Sequence, residues 1–137
     1  MTIDAERRAE LIRVAGEARR HAYAPYSRYP VGAAVLTGSG RIYAGVNVEN
    51  AAYPNGMCAE RAAIFAAVGQ GERELQAVAV VTENGGTPCG SCRQVISEFG
   101  PQARIILADS AGRVTLDVAL PDLLPHAFGP DSLPEKP

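Results

Sequence analysis

Two short stretches, Cys58-Ala59-Glu60-Arg61 and Pro88-Cys89-Gly90-Ser91-Cys92, hold all three cysteines of the chain. A fold that uses these thiols together must bring the lone Cys58 beside the Cys89-x-x-Cys92 pair. Three thiolates form an incomplete tetrahedral shell for zinc. Structural zinc sites close with four protein ligands, whereas catalytic sites leave one position for water. The competing reading, three unpaired core cysteines, explains neither the Cys-x-x-Cys spacing nor the carboxylate two residues after Cys58. A zinc ion on three thiolates carries a formal charge of about −1, which opposes ionisation of a bound water. Helix N-termini offset that charge, and so does Arg61, which is placed to hydrogen-bond the sulfurs. Glu60, so close to a metal ligand, is the candidate general acid and base. His21 and His126 are the only histidines. Either would close a structural Cys₃His site as fourth ligand, but their spacing gives that reading no support.

At 137 residues the chain is expected to form one domain, residues 1–137, with its core over about 4–128 and an irregular proline-rich tail at 129–137. An apolar content of 47% with 20% charge is that of a globular protein. The net charge of −2 argues against a nucleic-acid partner, which calls for a basic face. The stretch Met1–Arg13 mixes acids and bases without the apolar run of a secretory signal, and no apolar run approaches membrane-spanning length. Unpaired thiols suit a reducing compartment. The expectation is a cytoplasmic protein with no membrane partner.

Asp4 caps a predicted helix running to about His21, its apolar stripe being Leu11, Ile12, Val14, Ala15 and Ala18. Tyr29 to Thr37 and Arg41 to Val48 read as a hairpin turning at Gly38-Ser39-Gly40. Asn47 and Glu49 then share one face of the second strand's end, fit to grip a sugar hydroxyl. Cys58 opens a helix to about Val68, Leu75 to Val81 is a buried strand, and Pro88-Cys89 opens a helix ending near Phe99-Gly100. Cys89 and Cys92 fall on one face of that helix. Two strands, Arg104 to Ala108 and Arg113 to Val118, and a helical turn at Leu120 to Leu124 complete the pattern. The order implies a three-layer α/β/α sandwich around a central mixed five-stranded sheet.

Beyond the two cysteine stretches, the chain carries Pro25-Tyr26-Ser27, Pro30-Val31-Gly32-Ala33-Ala34, Asn47-Val48-Glu49-Asn50-Ala51, Cys92-Arg93-Gln94-Val95, Leu123-Leu124-Pro125 and Phe128-Gly129-Pro130. In this order, over roughly Ala24 to Leu133, it resembles the small, homotetrameric, zinc-dependent cytidine deaminases of the cytidine and deoxycytidylate deaminase family. The resemblance implies a cytidine deaminase-like fold and hydrolytic deamination of cytidine and deoxycytidine in pyrimidine salvage. Zinc-bound hydroxide would attack C4, with Glu60 as proton shuttle. It further implies one zinc per subunit on Cys58, Cys89 and Cys92. Asn47 and Glu49 would hold the ribose, the Ala59 N–H the pyrimidine carbonyl, and the Thr87 and Cys89 region the amino group. Tyr29 would pack on the base, and Phe128 would close the pocket of a neighbouring subunit in a homotetramer with shared active sites. Tyr53 would lie near the subunit contacts.

Two positions depart from the family pattern: Tyr29 stands where Phe is usual, and the acid and Leu after Pro130 are spaced differently. A buried tyrosine hydroxyl needs a partner. Three rivals are weighed against this reading. A deaminase of blasticidin-type cytosine nucleosides shares the Cys-Ala-Glu and Pro-Cys-x-x-Cys stretches but not the Asn47 and Glu49 pair or the Phe128 tail. A polynucleotide-editing deaminase calls for a basic surface. A structural zinc module calls for a fourth protein ligand.

Overall fold

The computed structural model describes residues 3–135. Its core is a five-stranded sheet of order β2-β1-β3-β4-β5, with β1 Gly32–Thr37, β2 Ile42–Val46, β3 Leu75–Val81, β4 Arg104–Ala108 and β5 Val114–Ala119. The β3–β4 pair is parallel and the other three are antiparallel, so the sheet is mixed as expected. Helix α1 (Ala5–Arg19) covers one face; α2 (Ala59–Gly69) and α3 (Gly90–Phe99) cover the other.

Strand alternation divides the core between the two faces. Ala33, Val35, Val78, Val80, Ile105 and Leu107 pack with α2 and α3. Ala34, Leu36, Ala77, Ala79, Ile106 and Ala108 pack under Leu11 and Ala15 of α1. The inner strands β1 and β3 are therefore apolar on both sides, which accounts for the unbroken run Leu75–Val81. The Asp4 carboxylate accepts from the Arg7 amide at 2.7 Å, so the N-cap of α1 stands as read from the sequence.

Several boundaries differ from the sequence expectation; β5, for one, runs Val114–Ala119 rather than Arg113 to Val118. The first strand starts at Gly32 rather than Tyr29, because Arg28 turns the chain with φ 56° and Pro30 has no N–H for a ladder. The second ends at Val46 rather than Val48. α1 stops at Arg19, two residues short of His21, in turn-type bonds from His21 and Ala22 back to Ala18 and Arg19. The tail, expected to be irregular, makes a 3₁₀ turn at Pro130–Ser132 with proline at its first position.

The pattern also conceals two register shifts. Thr37 pairs with Leu75 while Leu36 pairs with Ala77, so Gln76 is an extra residue and Leu75 turns to the α2/α3 face. Ala108 pairs with Val114 while Leu107 pairs with Leu116, which makes Thr115 the extra residue of β5. Its side chain is thereby aimed at the loop leading into α3.

Candidate active site

α2 and α3 both begin with a cysteine at the N-cap. Cys58 and Cys89 hold extended backbone (ψ 153° and 166°), and neither sulfur caps its own helix. Their carbonyls instead accept the first helical bonds, from Ala62 and Arg93, each at 3.0 Å. The sulfurs are left free to face one another, and Cys92 joins them from the first turn of α3. All three lie within 4.8 Å of one another, with Cys58 and Cys89 3.9 Å apart. Tetrahedral zinc with bonds of about 2.3 Å sets its sulfur ligands about 3.8 Å apart, so the donor set fits that ion in both chemistry and spacing. Neither histidine joins the cluster among the described residues; both are solvent-exposed.

The charge on this cluster is managed by its surroundings. The Cys58 thiol is drawn down to about 5, first by a hydrogen bond from Cys92 and then by Arg61, whose Nη2 lies 3.3 Å from the Cys58 sulfur. Cys92 is pushed up by the same bond and by burial, so of the pair it is Cys92 that holds its proton, which a cation on the three sulfurs would displace. Arg61 thus contacts the Cys58 sulfur and joins none of the ion pairs found among the described residues. Its Nε is buried without a hydrogen-bond partner.

Glu60 is only 4% exposed, in the first turn of α2. Burial raises its carboxyl above the ordinary 4.5, and negative charge on Cys58 adds to the rise. Helix α2 comes close enough to place it because Gly45 of β2 has no side chain. A Cβ there would lie 2.5 Å from the Ala63 amide and 2.6 Å from the Ala59 carbonyl.

A cavity of about 270 Å³ opens beside the cluster, lined by Cys58, Ala59, Glu60 and Cys89 on one side and by Ser27, Tyr29, Asn47 and Glu49 on another. Val31 and Val80 give it apolar walls, and Thr82, Gly86 and Thr87 complete it. The segment after β2 is pinned between the Tyr23 and Met57 backbones, which fixes Asn47 and Glu49 although the strand has ended. Asn47 accepts from the Val31 amide at 2.8 Å and donates to the Tyr29 carbonyl at 2.9 Å. Glu49 accepts from the Ser27 hydroxyl and from the Ser27 and Tyr26 amides, which hold its carboxyl below the usual range. A second hollow of about 370 Å³ shares Ser27 and Glu49 and is bordered by Tyr26, Asn50 and Tyr53.

Of the residues singled out in the sequence, the fold brings Cys58, Cys89, Cys92, Glu60, Arg61, Asn47, Glu49, Ala59 and Tyr29 to this one place. Phe128 stands apart, 60% exposed, its carbonyl accepting from Gln94 Nε2 at 2.9 Å. Three working residues escaped the sequence reading. Ser27 orients Glu49, and its place in Pro25-Tyr26-Ser27 was the available signal. Arg93 donates to the Pro88 and Leu123 carbonyls, each at 2.8 Å, and so ties the cysteine loop to the chain after β5. Asn84, whose side chain accepts from the Tyr29 hydroxyl at 2.6 Å, carries no signal in the sequence beyond the turn chemistry of Asn84-Gly85-Gly86.

Residues 5–108 match the family model of the cytidine and deoxycytidylate deaminase zinc-binding region. The chain is 45% identical over 127 residues to a cytidine deaminase of Sporosarcina psychrophila, covering 90% of this chain and 93% of that protein. It is 44% identical over 124 residues to one of Mycobacterium tuberculosis, covering 89% of this chain and 90% of that one. The crystal structure of cytidine deaminase from Burkholderia pseudomallei superposes with a TM-score of 0.83 at 44% identity, covering 92% of this chain and 100% of that one. With a matching fold, a zinc-binding region laid over its three clustered thiols and relatives this similar along most of its length, the chain belongs to the cytidine and deoxycytidylate deaminase family, in its small bacterial form.

Proposed function

We propose that the protein hydrolyses the exocyclic amine of cytidine and deoxycytidine, giving the uridine nucleosides and ammonia as a step of pyrimidine salvage. The observation that carries this reading is the position of Glu60, buried beside three convergent thiols in a cavity whose far side presents Asn47 and Glu49. Cys58, Cys89 and Cys92 would hold zinc, which supplies the Lewis acidity that makes water a nucleophile at neutral pH. Glu60 accepts a proton from the attacking water and passes it to N3 of the ring, then takes the remaining proton of the new C4 hydroxyl and delivers it to the amine as the C4–N bond breaks, leaving the carbonyl and ammonia. Its raised pKa suits a group that must both take up and release a proton. The Ala59 N–H, at the open end of α2, is free to donate to the pyrimidine carbonyl. Glu49, ionised and held by three donors, keeps lone pairs for a ribose hydroxyl, and Asn47 keeps one amide proton beside it. The Tyr29 ring supplies a face for the base.

We further propose a single domain over 1–137 that works as a homotetramer in the cytoplasm. The exposed rings of Phe128 and Tyr53, the latter 75% exposed, would meet neighbouring subunits there, Phe128 reaching a neighbour's pocket. No helix among the described residues is long and apolar enough to cross a membrane.

The test is the fall of ultraviolet absorbance when zinc-loaded protein meets cytidine, beside a chelated sample. Conversion that disappears with the metal is the expected result. A folded, zinc-loaded protein that leaves cytidine and deoxycytidine untouched would overturn the substrate assignment. Light scattering gives the subunit number directly.

A further inference from the structure

The loop from Glu83 to Pro88 forms one wall of the cavity through Gly86 and Thr87 and ends at the ligand Cys89. It has two glycines and a single backbone bridge, Asn84 with Asp109, so side chains outside it must set the position of the rest. On the cavity side, the Tyr29 hydroxyl donates to Asn84 Oδ1 at 2.6 Å. The Thr82 hydroxyl lies 3.4 Å from the same oxygen and accepts from the Gly86 amide at 2.9 Å. On the outer side, the Thr115 hydroxyl donates to the Gly85 carbonyl at 3.0 Å. The glycines fit between these braces. A Cβ at Gly85 would lie 2.4 Å from Thr115 Oγ1, and one at Gly86 would lie 2.8 Å from the Tyr29 hydroxyl.

We propose that Asn84 and the Tyr29 hydroxyl form a latch that fixes the 83–88 loop against the pocket, making Asn84 a positioning residue for the reaction. The inference rests on the deaminase reading of the site. The latch joins residues 55 apart in sequence, tying the segment before β1 to the segment before α3. It therefore couples the ring expected to face the base to the wall expected to face the amino group. A ring without the hydroxyl would offer the same apolar face but release the loop. A small displacement of a reacting group costs rate even where binding surfaces are intact.

The test compares Tyr29→Phe, Asn84→Ala and the double variant. It uses steady-state kinetics on cytidine together with amide hydrogen exchange at Gly86. Each single variant should lower kcat by about fivefold, the worth of one hydrogen bond, with KM within about twofold. The double variant should be no worse than the single ones, because either change removes the same interaction. Gly86 exchange should quicken equally in all three. Losses that multiply in the double variant, a change confined to KM or to melting temperature, or unaltered Gly86 exchange in Tyr29→Phe would each overturn the latch. A wild-type protein inert toward cytidine would sink the deaminase reading alone. The exchange comparison would still decide the latch.

Discussion

Glu60 and Arg61 sit side by side at the start of α2, one lining the cavity and the other against the Cys58 sulfur, so replacing each should move a different observable. Glu60→Gln keeps the shape of the side chain and removes its ability to carry a proton. Turnover should fall by about 10³-fold, within the range for a lost general acid–base, while zinc content by elemental analysis stays that of the parent. Retained turnover would remove Glu60 from the mechanism. Arg61 touches the Cys58 sulfur and does not line the cavity. Arg61→Ala should weaken zinc binding by about 10- to 100-fold, read by competition with a chromogenic chelator, with turnover largely restored at saturating metal. Unchanged affinity would show that the 3.3 Å contact to Cys58 contributes nothing to the metal. That these residues gather in one place was legible in the sequence, because candidate metal ligands and proton carriers come from few residue types at constrained spacing. Ser27, Asn84 and Arg93 were not. Their roles depend on which backbone or carboxylate the fold sets opposite them, and any polar residue at those positions would have read alike.

Among the elements that carry the site, α2 depends on a single small residue of β2. Its first turn carries Cys58, Ala59 and Glu60, and that turn rests on Gly45 with backbone atoms inside normal contact distance of any added Cβ. Gly45→Ala must push the helix away from β2. The expected cost is about 1–3 kcal/mol of stability, by denaturant titration, together with weakened zinc binding because Cys58 moves with the helix. A loss of stability with zinc affinity intact would show that β2, not α2, gives way. The elements themselves were readable from periodicity. β3 and β4 fall where the apolar runs place them, because buried strands leave an unbroken signature. The register shifts at Gln76 and Thr115 were hidden, since a bulge depends on the partner strand's hydrogen bonds and not on the strand's own pattern. The Thr115 shift matters for the site: it turns a hydroxyl toward Gly85.

Across the whole molecule, both faces of the sheet carry core, but the cysteine cluster lies on only one of them. α1 packs on the face away from the cysteines, and Leu11 is fully buried there. Leu11→Ala should cost about 2–5 kcal/mol while leaving kcat per folded, zinc-loaded subunit unchanged. A large fall in kcat would mean that the two faces are coupled. The same helix is also tied to the sheet by charge. Asp117 on β5 receives Arg8 of α1 and Arg104 of β4, each at 2.7 Å. Burial pushes the Asp117 carboxyl up, but the bonds and charges of Arg104 and Arg8 outweigh it and hold it below the ordinary 3.8. A depressed folded pKa contributes stability that is present above the unfolded value and lost as pH falls through the folded one. Asp117→Asn should therefore cost about 1 kcal/mol at neutral pH, a modest figure because the Arg8 side chain is partly solvated. The gap between parent and variant should close as the pH drops below about 4. Chemical denaturation at pH 7 and pH 3 measures both ends. A gap of equal size at the two pH values would mean that Asp117 acts by the shape of its hydrogen bonds and that its charge is not what joins α1 to the sheet.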